Sequence, residues 1–523
     1  MEEFLTIEAL IILLVLVATL VAIAVRRIRL PYTVALVLVG LAITIWRPLD
    51  ISVTPELILF LFVPPLIFEA AFNLDLRLLR DNLAPILVLA VPGVLLTTFF
   101  VGGVVALGTG LPFATAVVFG ALIAATDPVA VIALFRALGV PHRLAVALEG
   151  ESLFNDGTAI VIFRLAVSAA VLGVFDPVSG LFDFFQVALG GIAVGLALGW
   201  LAAQLIARVN DHLVSATLTT LLAYGTYLVA ERLHVSGVLA VVVAGLVTGN
   251  LGAAGVSPTT KSMIFSLWEY LAFLANSLVF LLIGLDIDLP LLWANLWPIA
   301  VAVAAVLISR AVVVYGLSWL VFLGRGRQRF PLRWRHVLFW GGLRGAISLA
   351  LALSLPVTLA GRDMLEAMVF GVMLFTLLGQ GTTLQFLLRR LGLIERPEHV
   401  VERERYLGRL LATQGGMRRL EQLRRDGVLI DVIWRGLRDD YTQIRDGLEE
   451  EINQLFVEHA ELERELLLQT RKEALRAERG ALIDALRQGL VSTEVFEELR
   501  ADIDRRLEAL ALIQASVQGR RSS

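Results

Sequence analysis

The chain has 523 residues, 58% of them hydrophobic and 17% charged, with a formal net charge of −3 and no cysteine. An ordinary soluble domain carries about a quarter charged residues, so a wholly soluble chain is excluded, and the weakly acidic balance offers nothing to nucleic acid. Without cysteine there are no disulfides, thiolate metal sites or cysteine nucleophiles.

Charge is segregated along the chain, with 48 of the 91 charged side chains in residues 391–523. Residues 1–390 therefore read as a membrane domain and 391–523 as a cytoplasmic tail. The first apolar run, Phe4 to Val25, follows Glu2 and Glu3 rather than lysines and precedes Arg26, Arg27 and Arg29. At about 22 residues, with no small-residue cleavage site after it, it predicts a retained spanning helix and not a signal peptide. Twelve further spans are predicted near 31–47, 54–73, 83–108, 113–137, 144–172, 181–207, 213–231, 235–252, 262–286, 291–323, 336–358 and 363–388. Connections after odd-numbered spans hold sixteen basic residues, and those after even-numbered spans hold three, Arg47, Arg232 and Arg362. By the positive-inside rule the N-terminus is then outside and the tail cytoplasmic.

Thirteen spans allow two inverted repeats, with corresponding helices seven apart and a transport site on broken helices near the midplane. The fifth and twelfth spans correspond in this way, and both read as breakable. "AATDPVAV" (124–131) places Pro128 in mid-span, where it removes a backbone donor. "WGGLRGAIS" (340–348) gathers three glycines near Arg344.

Among the charges inside spans, the carboxylates Glu69, Asp127, Glu151 and Asp156 and the arginines Arg164, Arg310 and Arg344 are singled out. An intramembrane ionisable group is costly and marks function or a pairing need. Asp127 and Asp156 enter from opposite sides, and each lies roughly 18–21 Å deep at ~1.5 Å per residue. Ser152 and Asp156 are four apart on one helical face, with Asn155 adjacent. Together with Thr126 and Asp127 they predict an oxygen-rich pocket, which suits a hard alkali cation, and a break at Thr126–Pro128 frees carbonyls to join it. Each has a blander reading. Asp127 before a proline can simply cap a half-helix, Glu151 can pair with a buried arginine, Arg164 can snorkel outward, and Glu69 lies near the cytoplasmic end of its span.

"LFLFVPPLIFEAAF", "ATDPVAV", "GESLFNDGTAIV" and "GGLRGAISLAL" occur in that order, and together they resemble the sodium/proton exchangers of the first cation/proton antiporter family, the bacterial NhaP-type proteins and the animal exchangers. The resemblance covers residues 1–390. It implies a homodimer of thirteen-span protomers, each with a core moving against a dimerisation domain, and no cofactor beyond the transported Na⁺ and H⁺. By motif match, Asp156 looks like the essential ion-binding carboxylate. Thr126, Asp127, Ser152 and Asn155 are similar to its neighbours, and Glu69 to a carboxylate of the cytoplasmic funnel. Glu151 resembles the glutamate paired with a buried arginine, here Arg310 ahead of Arg344, and Arg344 resembles another family arginine near the crossing of the broken helices. The Asn155–Asp156 pair resembles the electroneutral branch.

Burial favours a protonated carboxyl and a bound cation favours the carboxylate, so one aspartate can serve two mutually exclusive ions. The reading is electroneutral Na⁺/H⁺ antiport at the cell membrane, with Na⁺ at Asp156, Asp127, Ser152 and Thr126. A K⁺/H⁺ antiporter of the same fold is the near alternative. An intramembrane aspartyl protease is a remote one, since its Tyr-Asp and Gly-x-Gly-Asp signatures are missing. In the tail, Val495, Leu499, Ile503, Leu507 and Leu510 predict an amphipathic helix, with Gly489 ending the previous helix and Ser492 capping the next. Pro397 marks where the tail begins.

Overall fold

The computed structural model describes residues 2–25, 31–46, 54–173, 176–209, 211–251, 258–317, 331–394 and 398–520. Arg26, Arg27, Arg29, Arg47, Arg325, Arg327, Arg329 and Pro397, which bear on the predicted orientation and tail boundary, lie outside them. The described residues are helical and contain no strand, and the chain divides into two compact units, Met1–Ile394 and Glu395–Ser523.

The first unit begins with α1 (Glu2–Val25), α2 (Tyr32–Trp46), a π-helical stretch Leu57–Phe62 running into α3 (Val63–Asn73), and the short α4 (Leu76–Asp81). Next come α5 (Leu83–Ala90) and α6 (Pro92–Thr109), then α7 (Phe113–Ala124) and α8 (Val129–Leu138). The predicted fourth span is thus parted at Pro92, whose ring cannot continue the helical ladder. The long helices α9 (His142–Leu172), α10 (Pro177–Ile206) and α11 (His212–Arg232) are followed by α12 (Gly237–Leu251) and α13 (Pro258–Leu285). The unit closes with α14 (Leu289–Ala294), α15 (Leu296–Ala311), α16 (Leu332–Trp340), α17 (Ala346–Leu353), α18 (Arg362–Leu374) and α19 (Thr382–Arg390). Among the described residues eight helical stretches are long and apolar enough to cross a membrane, and four shorter apolar helices accompany them.

Two groups of helices pack mainly on themselves. One comprises α2, α3 and α10–α13, and the other α5, α6, α7, α9, α15 and α18. Glycine permits the closest crossings, because a hydrocarbon solvent gives helices no reason to associate beyond packing and polar contacts. At the α2–α13 crossing a Cβ on Gly40 would lie 2.5 Å from the Leu281 carbonyl oxygen and 2.9 Å from the Gly284 Cα. On α10, a Cβ on Gly199 would lie 2.9 Å from the Ala244 Cα of α12. Asp75, Asp176, Asp211 and Asp288 cap the helices that follow them with their side chains. Asp211 accepts from the amides of Leu213 (2.7 Å) and Val214 (3.1 Å) and opens α11. Those amide bonds hold its carboxyl below the usual carboxylate range.

The second unit holds α20 (Glu398–Arg425), α21 (Asp431–Glu458), α22 (Ala460–Arg487) and α23 (Thr493–Arg520). Gly489 takes a left-handed φ of 70° after α22, and the Ser492 hydroxyl accepts from the Val495 amide at 3.4 Å where α23 begins. The buried stripe of α23 differs from the predicted one at its start. Phe496, Ile503 and Leu510 face inward, while Val495 and Leu499 are exposed. A spacing of seven returns to the same helical face, and this one meets Leu475 of α22.

Gly40→Ala is expected to lower stability by about 1–3 kcal/mol, because the new methyl meets the α13 backbone at Leu281 and Gly284. A thermal melt of the protein in detergent, compared with the parent, measures it.

Candidate ion-binding site

Two helices break where the sequence predicts, and the breaks meet. Between α7 and α8 the chain leaves the helix over Ala125–Pro128, starting with Ala125 at φ −57°, ψ 138°. Between α16 and α17 it unwinds through Gly341–Gly345. The Asp127 amide donates to the Leu343 carbonyl at 2.8 Å and ties one break to the other. Gly345 is required at the crossing: any Cβ there would collide with the Asp127 carboxyl group. A Cβ on Gly342 would come within 2.9 Å of the Arg310 Nε.

A broken helix exposes partial positive charge at each new N-terminus and partial negative charge at each new C-terminus, and burial makes both expensive. Three charged side chains answer them. The Asp127 carboxylate accepts from the Val129 amide at 2.9 Å and from the Ala346 amide, so it caps α8 and α17 together. Arg344 donates to the carbonyls of Ala124 (3.4 Å) and Ala125 (3.1 Å) at the end of α7. Arg310 donates to the Leu338 carbonyl from Nε (3.2 Å) and Nη2 (2.9 Å) at the end of α16. Its fork also grips Glu151, through Nη1 and, at 2.9 Å, through Nη2. The partner of Glu151 is therefore Arg310, while Arg344 bonds carbonyls.

On α9, Asp156 and its neighbours hold the unwound Thr126 by every polar group it has. The Ser152 hydroxyl donates to its carbonyl. The Asn155 amide donates to its Oγ1 at 3.1 Å. Its own backbone N–H is directed at the Asp156 carboxylate. Thr126, Ser152, Asn155 and Asp156 are all buried.

A cavity of about 70 Å³ lies beside this cluster, lined by Thr126, Asp127, Ser152 and Asp156 with Glu149 and Asn276. Asn155 is not on its wall. Beyond it a cavity of about 620 Å³ carries Glu69, Arg136, Glu149 and Glu269. Glu69 belongs to this larger space, where it accepts from Asn73 Nδ2 at 2.6 Å. Arg164 points elsewhere: its Nη2 pairs with Glu231 of α11 at 2.8 Å, beside a separate cavity of about 560 Å³.

The sequence pattern overlooked Glu149 and Asn276. Glu149 was legible, because it stands seven residues before Asp156 and three before Ser152 and so shares their face of α9. Asn276 carries no comparable sign, since its place on the cavity wall follows from how α13 packs.

Residues 12–390 match the family described as sodium/hydrogen exchanger, transmembrane. The chain is 37% identical over 507 residues to the Na⁺/H⁺ antiporter NhaS2 of Synechocystis sp., covering 95% of this chain and 93% of that protein. It is 46% identical over 382 residues to the Na⁺/H⁺ antiporter ApNhaP of Aphanothece halophytica, covering 72% and 73%. Among solved structures, the fold is similar to that of the sodium proton antiporter MjNhaP1 from Methanocaldococcus jannaschii, with a TM-score of 0.63, 22% identity and coverage of 76% of this chain and all of that one.

Glu151→Ala strands the Arg310 guanidinium and is expected to cost about 3–5 kcal/mol. Glu151→Leu combined with Arg310→Met should recover only part of the loss, because the Leu338 carbonyl then stays uncapped. Melting temperatures of the two variants in detergent check both statements.

Proposed function

The chain belongs to the sodium/hydrogen exchanger family, and with it we propose that this Na⁺/H⁺ antiporter, a transporter and not an enzyme, exchanges its ions at Asp156. The observation that carries the assignment is one of charge. Around the crossing, Asp127 and Glu151 are balanced by Arg310 and Arg344, and each is already engaged at a helix end or in the ion pair. Asp156 is the remaining carboxylate on the small cavity with no arginine bonded to it, so its charge is left to be satisfied by a proton or a cation. The oxygens of Ser152 and Thr126 and the second oxygen of Asp127 supply the rest of a hard-cation shell. Asn155 holds Thr126 in place and adds no titrating group.

Alternating access follows from moving the helices of the crossing against the α2, α3 and α10–α13 group. Residues 1–390 carry transport in this reading, as a homodimer in the cell membrane. The N-terminus is outside, and residues 391–523 form a cytoplasmic helical domain. The larger cavity lies at the Arg136 end of α8, which the distribution of basic residues assigns to the cytoplasm. This conformation is then the inward-facing one, and Glu69 lies in its funnel.

Asp156→Asn should abolish cation-driven proton movement in proteoliposomes while the protein stays folded, since the change removes both proton acceptor and main cation ligand but also a desolvation cost. Transport retained by this variant refutes the assignment.

One exchangeable carboxylate also sets the stoichiometry. With one charge carried each way, the pH gradient that stops net flux balances the Na⁺ gradient one for one. Imposing a membrane potential leaves that null point where it was. An uncompensated charge is worth about 2.3 kcal/mol per 100 mV, so a second proton would shift the null point visibly.

A further inference from the structure

The two cavities share a stretch of wall, here called the neck, and two polar residues border both: Glu149 of α9 and Asn276 of α13. They come from opposite helix groups. We propose that Glu149 and Asn276 form a second, transient site for a monovalent cation, an entry site at which the ion sheds water before reaching Asp156, with Arg136 as its built-in competitor. The inference rests on the transport reading above.

Three observations support it. The inner cavity, at about 70 Å³, is far smaller than the outer one at about 620 Å³. A hydrated cation passing from the larger space to the smaller exchanges waters of its shell for protein oxygens where the two spaces meet. The neck supplies them. The Oδ1 of Asn276 is buried without a hydrogen-bond partner, in a residue only 9% exposed, and such an orphaned acceptor is costly unless it receives something. The Glu149 carboxylate belongs to the same shared wall, its side chain 12% exposed. Glu149's ion pair is also a loose one: Arg136 Nη2 reaches its Oε1 at 3.5 Å from a side chain 59% exposed. A well-made arginine–carboxylate pair is shorter and bidentate, as Glu151–Arg310 is. Arg136 is therefore a tethered cation that an arriving ion can displace. The other charges facing this place are Glu69 of α3 and Glu269 of α13 in the funnel, and Asp127 and Asp156 in the inner cavity. Apart from Arg136, all of them favour a cation.

The roles of Glu149 and Arg136 predict opposite changes. In proteoliposomes with the funnel side accessible, Glu149→Gln is expected to raise the apparent KM for Na⁺ on the order of tenfold, because a carboxylate leaves a poorly solvated path. Asn276→Leu should raise it severalfold. Arg136→Gln removes the competitor and should lower KM severalfold, and Glu149→Asp should largely restore the parental value. Maximal exchange at saturating Na⁺ stays within about twofold of the parent in each case. A pair that merely holds structure predicts the same direction of change for Glu149→Gln and Arg136→Gln, and that result, or unchanged KM in both, overturns the entry site. Arg136 is largely exposed, so its arm stands even where Glu149→Gln fails to fold. Parental protein that shows no Na⁺-driven proton movement sinks the transport reading instead, and the two failures are thereby told apart.

Discussion

Everything near the site depends on how a membrane interior tolerates four severed helix ends. Backbone groups left unpaired in hydrocarbon cost several kcal/mol each, so a broken helix survives only inside protein with its ends answered. Here the answer is reciprocal. The α7–α8 break supplies the carboxylate that caps α8 and α17, and the α16–α17 break supplies the guanidinium that closes α7. Each broken helix needs the other to stay broken. Arg310 closes the last end from a third helix, and Glu151 ties that arginine to α9.

The arrangement explains why α9 is apolar in overall character and still carries an acidic, amide-rich stretch in its middle. Glu151 and Asn155 are fixtures of the crossing, the first through Arg310 and the second through Thr126. With both occupied, Asp156 sits beside an unwound backbone that Ser152 and Asn155 also hold.

Much of this was legible in the sequence because expensive residues in an apolar chain are few. Pro128 and the glycines at 341, 342 and 345 announced the breaks, and the intramembrane carboxylates and arginines announced the site. Which arginine meets Glu151 was not legible. Arg310 and Arg344 are both buried near the crossing, and their choice of partner is set by the exact approach of α15 and α16, which periodicity does not encode. Glu149 was passed over because a charged residue toward a helix end has an ordinary explanation in solvation. Its burial and its place at a constriction come from α3, α8 and α13 closing around it. Asn276 was hidden for a further reason. An amide in a span is commonly a helix-pairing hydrogen bonder, and only the packed structure leaves its oxygen without a partner. In the tail, the stripe of α23 was off by one position at its first turn, since Val495 and Phe496 are both apolar and only contact with α22 chooses between them.

The neutral tally of the crossing also bears on how tightly two gradients can be coupled. Asp127, Glu151, Arg310 and Arg344 sum to zero, so in the exchange proposed above the residues of the crossing take their net charge from Asp156 alone. Loaded with either ion, they cross the low-dielectric interior uncharged. Empty, they carry one bare negative charge, and an isolated charge in hydrocarbon costs about 3 kcal/mol or more. At 1.4 kcal/mol per factor of ten, that penalty slows the empty return at least a hundredfold. In that exchange, slippage, which would drain one gradient without building the other, is suppressed by charge balance among the residues of the helix crossing.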